Sequence, residues 1–140
     1  MPRFDSVIGQ QPRFALATPR FRFRALAACA GRASIGGDRE VAMACLVAGR
    51  LAAALLPPYT IGAADLKARS TGAKHWLASL SLPAPVRTGL THLADAVAAG
   101  NRKTAATALT HLVSVAQRSI DEASATELLA VAANLEAGEG

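Results

Sequence analysis

Apolar residues between positions 37 and 140 recur every three or four residues, which is the period of an amphipathic α-helix. Proline, glycine and capping residues divide this stretch into five segments, because they stop or start helices. The predicted helices span residues 38–56, 63–80, 83 or 85 to 100, 101–116 and 119–135.

Each predicted helix carries one apolar stripe that would face a common core. In chain order the stripes are Val41, Cys45, Ala48, Ala52 and Leu55; Leu66, Ala73, Trp76, Leu77 and Leu80; Val86, Leu90, Leu93 and Val97; Ala105, Leu109, Leu112, Val113 and Ala116; and Leu128, Leu129, Ala132 and Leu135. Trp76 fits either the core or an exposed anchor at a protein interface. Short connections between the last three helices favour antiparallel neighbours. The sequence therefore predicts an all-α fold, a small antiparallel five-helix bundle.

The first 36 residues follow no such period and are predicted to form a non-globular basic arm ahead of a helical domain at 37–140. The tripeptide Pro-Arg-Phe occurs three times, at 2–4, 12–14 and 19–21, and all four phenylalanines of the chain lie in this arm. Residues 1–32 hold six arginines and one aspartate, a surplus of five that equals the net charge of the whole chain, +5. The other residues are balanced, with 15 − 6 = 9 basic and 10 − 1 = 9 acidic groups.

Two functions fit this arm, and the sequence leaves both open. An Arg-rich, acid-poor start is typical of a mitochondrial or chloroplast targeting segment, which would be cleaved near residues 31–38. A retained arm would instead grip phosphates with guanidinium groups and stack its phenylalanines on bases or wedge them into a protein groove. The predicted contact residues of a retained arm are Arg3, Phe4, Arg13, Phe14, Arg20, Phe21, Arg22, Phe23 and Arg24.

Residues 65–111 carry a familiar order of features. They are Trp76, the loop Leu80-Ser81-Leu82-Pro83, Val86 with Arg87, the stripe Leu90, Leu93 and Val97, the turn Ala98-Ala99-Gly100-Asn101, and an Ala-rich helix from Ala105 to His111-Leu112-Val113. This order resembles the helical domain shared by the steroid receptor RNA activator protein and the C-terminal region of the COPII outer-coat subunit. The resemblance implies a five-helix bundle without catalytic residues that serves as an interaction or scaffold domain. Arg102-Lys103 replace the aromatic that usually follows the turn, and the last helix lacks the family's tryptophan.

No residue pattern in the chain predicts catalysis, a bound cofactor or a small-molecule substrate. His92 and His111 could approach each other across two helices, but a zinc site needs three or four converging ligands, and both cysteines lie near the N-terminus. Cys29 and Cys45 suit a reducing compartment better than a disulfide. No metal site is predicted, and no membrane span, since the nearest candidate at 41–56 is short and contains Arg50.

Six of the nine basic residues in the predicted bundle form one candidate patch. They are Lys67, Arg69, Lys74, Arg87, Arg102 and Lys103. Arg102 and Lys103 open a helix, where positive charge opposes the helix dipole, so they are predicted as possible phosphate contacts. The leading hypothesis is a non-catalytic accessory subunit of a mitochondrial ribosome that docks on protein subunits or rRNA, with the chloroplast as the other organelle. The alternative is a protein-only interaction module: an assembly or coat-associated factor, or an accessory subunit of a respiratory complex.

Overall fold

A computed structural model describes residues 22–32, 37–57 and 61–137, and the regular secondary structure of these ranges is entirely helical. The helices are α1 (Arg24–Arg32), α2 (Gly37–Ala53), α3 (Ala63–Leu77), α4 (Ala84–Ala98), α5 (Arg102–Ala116) and α6 (Glu122–Ala137). The all-α prediction is confirmed. Helices α2 to α6 correspond to the five helices predicted from the sequence, and their hydrophobic sides share one core.

The connection between α4 and α5 shows why the predicted helices begin and end where they do. Gly100 adopts the left-handed conformation, with φ 69°. The N–H of Gly100 donates to the carbonyl of Val97 at 3.0 Å, and that of Asn101 donates to Ala96 at 2.9 Å, which closes α4 with a Schellman motif. The Asn101 side chain then accepts the N–H of Thr104 at 3.0 Å and caps α5.

Helix α1 corrects the predicted boundary between arm and bundle. Residues 23–32 belong to the predicted non-globular arm, but α1 packs on α2 and α6. Phe23 is 3% exposed and Leu26 is 0% exposed. The part of the bundle that the structure describes therefore has six helices and begins at Phe23. The rest of the predicted arm, residues 1–21 and 33–36, lies outside the described residues.

The N-terminus of α1 is held by a side chain from the opposite end of the sequence. The Glu127 carboxylate of α6 accepts the N–H of Ala25 at 2.8 Å and the N–H of Leu26 at 2.9 Å. These groups have no acceptor within α1, and a carboxylate also suits the positive end of the helix dipole. Glu127 therefore caps the N-terminus of α1, although it belongs to α6.

Phe23 enters the core through a close contact between α1 and α2. A methyl group at Gly49 would lie 2.7 Å from Phe23 Cε1 and 3.1 Å from Leu128 Cδ2, both closer than atoms normally pack. The backbone of Phe23 has φ 52°, which is uncommon for a residue with a bulky side chain. The ring therefore fits only because position 49 has no side chain.

One predicted core position is exposed, and four others are only partly buried: Leu55, Ala73, Trp76 and Leu80. Leu129 is 42% exposed on α6, so its assignment to the core was wrong. The adjacent Leu128 is fully buried, and neighbouring helical residues point about 100° apart. Trp76 is partly buried and packs against the edge of the core.

We expect a chain that starts at Ala33 to be far less stable than one that starts at Arg22. The shorter chain loses the burial of Phe23 and Leu26, each worth about 1.5–3 kcal/mol, so the free energy of unfolding should fall by about 3–6 kcal/mol. Urea denaturation followed by circular dichroism measures the difference. Equal stabilities would show that α1 contributes nothing to the core.

Gly49→Ala should lower the unfolding free energy relative to Gly72→Ala. Alanine favours a helix by about 1 kcal/mol at either site. At Gly49 this gain is opposed by an overpacking cost of about 1–3 kcal/mol, whereas no atom lies within 4 Å of a methyl group at Gly72. Thermal or urea melts of the two variants should therefore differ by about 1–3 kcal/mol. A Gly49→Ala variant as stable as Gly72→Ala would contradict the close contact with Phe23.

Candidate docking site

The structure describes three of the nine predicted arm contacts. Arg22 and Arg24 are exposed at the start of α1. Phe23 lies in the core, so its predicted role in stacking on bases or filling a partner's groove is wrong. The six others lie outside the described residues: Arg3, Phe4, Arg13, Phe14, Arg20 and Phe21.

The predicted phosphate contacts Arg102 and Lys103 occupy the first turn of α5. Within the described part of the chain, Nε and Nη2 of Arg102 are buried without a hydrogen-bond partner. Lys103 is exposed beside a cavity of about 290 Å³, which is also lined by Thr104, Thr107 and Glu136. The Glu136 carboxylate would repel a phosphate there, and Asn101 already caps the helix. A phosphate contact at this position stays a prediction.

Two other basic residues of the bundle have structural partners. Lys74 Nζ lies 2.7 Å from Asp95 Oδ1 and links α3 to α4. The Arg87 guanidinium donates to the carbonyl oxygens of Leu77 at 3.2 Å and Leu80 at 2.7 Å. Leu77 ends α3 and Leu80 lies in the turn that follows, so Arg87 supports the C-terminal end of this helix.

Acidic residues join distant segments in the same way. The Glu40 carboxylate accepts the N–H of Ser81 at 2.9 Å, across 41 positions of the sequence. Asp38 Oδ1 accepts the Ser119 hydroxyl at 2.8 Å, across 81 positions. Together with Glu127, these groups tie α2 and α6 to loops and helix ends elsewhere in the bundle.

The described residues contain no cluster of three histidine, cysteine or acidic side chains that could hold a metal ion. His75, His92 and His111 are exposed, on α3, α4 and α5 respectively. None of the helices in the described ranges has both the length and the hydropathy that crossing a bilayer requires.

A cleft of about 270 Å³ opens between α2 and α3. These two helices touch only lightly, because α3 packs mainly on α4. Val47, Arg50 and Leu51 form the α2 wall, and Arg69 and Ala73 form the α3 wall. The cleft is therefore lined mainly by apolar atoms, with one arginine side chain on each wall.

The size and charge of this cleft indicate what it could bind. Pockets for small molecules span roughly 300–1,000 Å³, so this cleft lies just below that range and fits a single large side chain. Arginine stays protonated at any physiological pH. An apolar side chain flanked by carboxylates would therefore match the cleft in shape and in charge.

The sequence indicates one of these two arginines. Arg69 belongs to the candidate basic patch, whereas Arg50 is interpreted only as an interruption of an apolar segment. A single charge within an otherwise apolar helix does indicate an outward-facing position. The separation of α2 from α3, which creates the cleft, has no signal in the local sequence.

The two cysteines lie where α1 packs on α2, and both are buried thiols. Burial raises the pKa of Cys45 from its ordinary 9.0 to about 12, and the nearby Cys29 contributes to the rise. The thiol of Cys45 is therefore protonated in the folded protein at neutral pH, which makes it a poor nucleophile.

The pKa of Cys45 predicts a loss of stability at alkaline pH. Below pH 9 the thiol is protonated in both states, whereas between pH 9 and about 12 only the unfolded chain releases the proton. The free energy of unfolding should therefore fall with rising pH, by at most about 1.4 kcal/mol per pH unit from this group. Urea melts of the native chain and of Cys45→Ala across this window isolate the contribution of the Cys45 thiol. If the unfolding free energies of the two chains fell in parallel with rising pH, the raised pKa of Cys45 would be contradicted.

No family model, curated protein or solved structure matches this chain. The resemblance to the helical domain of the steroid receptor RNA activator protein and the COPII outer-coat subunit thus stays a prediction from sequence order.

Proposed function

We propose that this chain is a non-catalytic docking module whose helical bundle binds protein partners within a larger assembly. The observation that carries the proposal is the α2–α3 cleft, which pairs an apolar floor with Arg50 and Arg69. Other charged groups of the bundle, such as Arg87 and Glu127, support helix ends. The cleft is an open, mainly apolar site that includes arginine side chains, which are enriched at protein-binding hot spots.

The aromatic residues support a protein partner over a nucleic acid. Surfaces that bind single-stranded RNA combine positive charge with aromatic rings on which bases stack. In the described part of the chain, the aromatic residues are Phe23, which is buried, and Trp76, which packs against the core. Neither presents an open ring beside the arginines of the cleft.

A second candidate is an accessory subunit of an organellar ribonucleoprotein, with a mitochondrial ribosome as the leading case. It is favoured by Arg22 and Arg24, which are exposed and continue the Arg-bearing segment at residues 1–21. In this proposal the chain is imported into a mitochondrion or, alternatively, a chloroplast. For α1 to remain in the bundle, cleavage of a targeting segment would have to occur before Phe23.

Reversing the charge of the cleft should remove protein partners. We expect Arg50→Glu/Arg69→Glu to lose the proteins that cross-link to the native chain in its own cells, because the carboxylates would then face like charge. Arg39→Glu/Arg118→Glu changes the net charge equally at exposed positions outside the cleft and should keep them. Quantitative mass spectrometry of cross-linked, tagged chains measures the partners that each double variant retains, and circular dichroism checks that each variant is folded.

The same experiment separates the two candidates. Partners that persist after RNase treatment and depend on Arg50 and Arg69 support the protein-docking module. Partners that are lost on RNase treatment or in Arg22→Glu/Arg24→Glu, but are kept in Arg50→Glu/Arg69→Glu, would favour the ribonucleoprotein.

A further inference from the structure

The two cysteines of the described bundle lie on helices that run in opposite directions. Phe23, one residue before α1, packs against Gly49, which is near the end of α2. The start of α1 therefore lies beside the end of α2. The two helices form an antiparallel pair, as expected for helices whose ends are separated by a short connection, here positions 33–36.

Measured from this contact, Cys29 and Cys45 lie at nearly the same level of the helix pair. Cys29 follows Phe23 by six residues on α1, which is about 9 Å along the helix axis. Cys45 precedes Gly49 by four residues on α2, which is about 6 Å in the same direction, because the helices are antiparallel. The two cysteines are therefore offset by only about 3 Å along the helix axes.

Both cysteines also face the contact between the two helices. Cys45 is four residues from Gly49, so it lies on the side of α2 that α1 covers. Cys29 is 8% exposed and Cys45 is 0% exposed. A charge on Cys29 adds to the raised pKa of Cys45, which requires the two sulfur atoms to be near each other.

The residues around the two cysteines allow the helices to approach closely. Ala30, Ala42 and Gly49 are small and buried. Helices that pack across such residues can approach to about 8 Å between their axes, the lower end of the usual range. Facing Cα atoms then come within the range of roughly 4.4–6.8 Å that a disulfide spans. Both thiols are free in the structure, so the pair is in its reduced state.

Cys29 is the thiol of the pair that a small molecule can reach. The exposed positions beside it on α1 are Ala27, Ala28 and Gly31, whose small size leaves room for an approaching molecule. Cys45 is fully enclosed, so in the folded chain it can react only with Cys29.

We propose that Cys29 and Cys45 form a reversible disulfide that links α1 covalently to α2, with a small-molecule disulfide such as oxidised glutathione as the oxidant. The Cys29 thiolate attacks the oxidant and releases one glutathione thiolate, which leaves a mixed disulfide on Cys29. The Cys45 thiolate then attacks the sulfur of Cys29 and releases the second glutathione thiolate. Two electrons pass from the protein to the oxidant, and the two thiol protons end on the two released glutathione molecules.

The redox state of this pair determines whether α1 can leave α2. In the reduced chain α1 is held by packing and by the Glu127 carboxylate, and both are reversible. In the oxidised chain a disulfide closes a loop of about 15 residues and keeps α1 attached. The second step of oxidation is slow at neutral pH, because burial keeps Cys45 protonated. This inference is independent of the proposed docking function, since neither cysteine lines the α2–α3 cleft.

Equilibration of the full chain with mixtures of reduced and oxidised glutathione tests the proposed disulfide. Trypsin separates the two cysteines into peptides 25–32 and 40–50, so mass spectrometry without reduction detects their linkage. We expect the equilibrium constant for forming this disulfide to be roughly 100-fold larger in the native chain than in concentrated urea, the factor by which a disulfide across a loop of this length stabilises a fold.

Two results of this measurement would overturn the proposal. If the equilibrium constant were no larger in the native chain than in urea, the fold would hold the thiols no closer than an unfolded chain does. If the linked peptides came only from disulfide-bonded dimers, which a non-reducing gel separates from monomers, the thiols would pair between chains and not between α1 and α2.

Single variants test the order of the two steps. Cys45→Ala should stop at the mixed disulfide and keep one glutathione on Cys29, whereas folded Cys29→Ala should take up none, because Cys45 is enclosed. Intact-mass spectrometry measures the bound glutathione, and circular dichroism checks that each variant is folded. Glutathione on Cys45 but not on Cys29 would overturn the proposed order. The equilibrium measured on the native chain decides the proposal even if a variant fails to fold.

Discussion

The structure depends on close packing against α2, the helix that touches all five others in the described bundle. Its buried side is built from small residues: Ala42, Ala44, Cys45, Ala48, Gly49 and Ala52. The large buried side chains come mainly from the surrounding helices, among them Leu26, Leu93, Leu109 and Leu128. Large residues fitted against small ones give the dense packing of a protein interior. A larger side chain on this surface would therefore displace a neighbouring helix.

Helices α2 to α6 could be predicted because their boundaries are determined by nearby residues. Gly100 and Asn101 close one helix and open the next within a few positions, and Pro83 precedes α4. Helix α1 could not be predicted in this way. A helix of nine residues is marginal on its own. Its cap, Glu127, lies 101 and 102 positions away from the groups it binds. The surrounding arginines then made its apolar positions look like part of a basic arm.

The candidate site was less predictable than the fold, for two different reasons. Leu129 was expected in the core beside Leu128, and adjacent apolar residues such as Leu112 and Val113 are indeed both buried. The sequence alone therefore does not decide which residue of such a pair is exposed. The α2–α3 cleft could not have been foreseen, because it exists where α3 turns away from α2 towards α4. Its existence is a consequence of tertiary packing.

Charge balance in the helical body conceals an uneven distribution in space. Basic and acidic groups are equal in number beyond residue 32. Many of them are used internally, as helix caps and as bonds between segments. Around exposed apolar groups the charges differ in sign, with arginine side chains lining the α2–α3 cleft and glutamates but no basic residue on α6. A body whose charges balance in number can therefore still present surfaces of different charge to its surroundings.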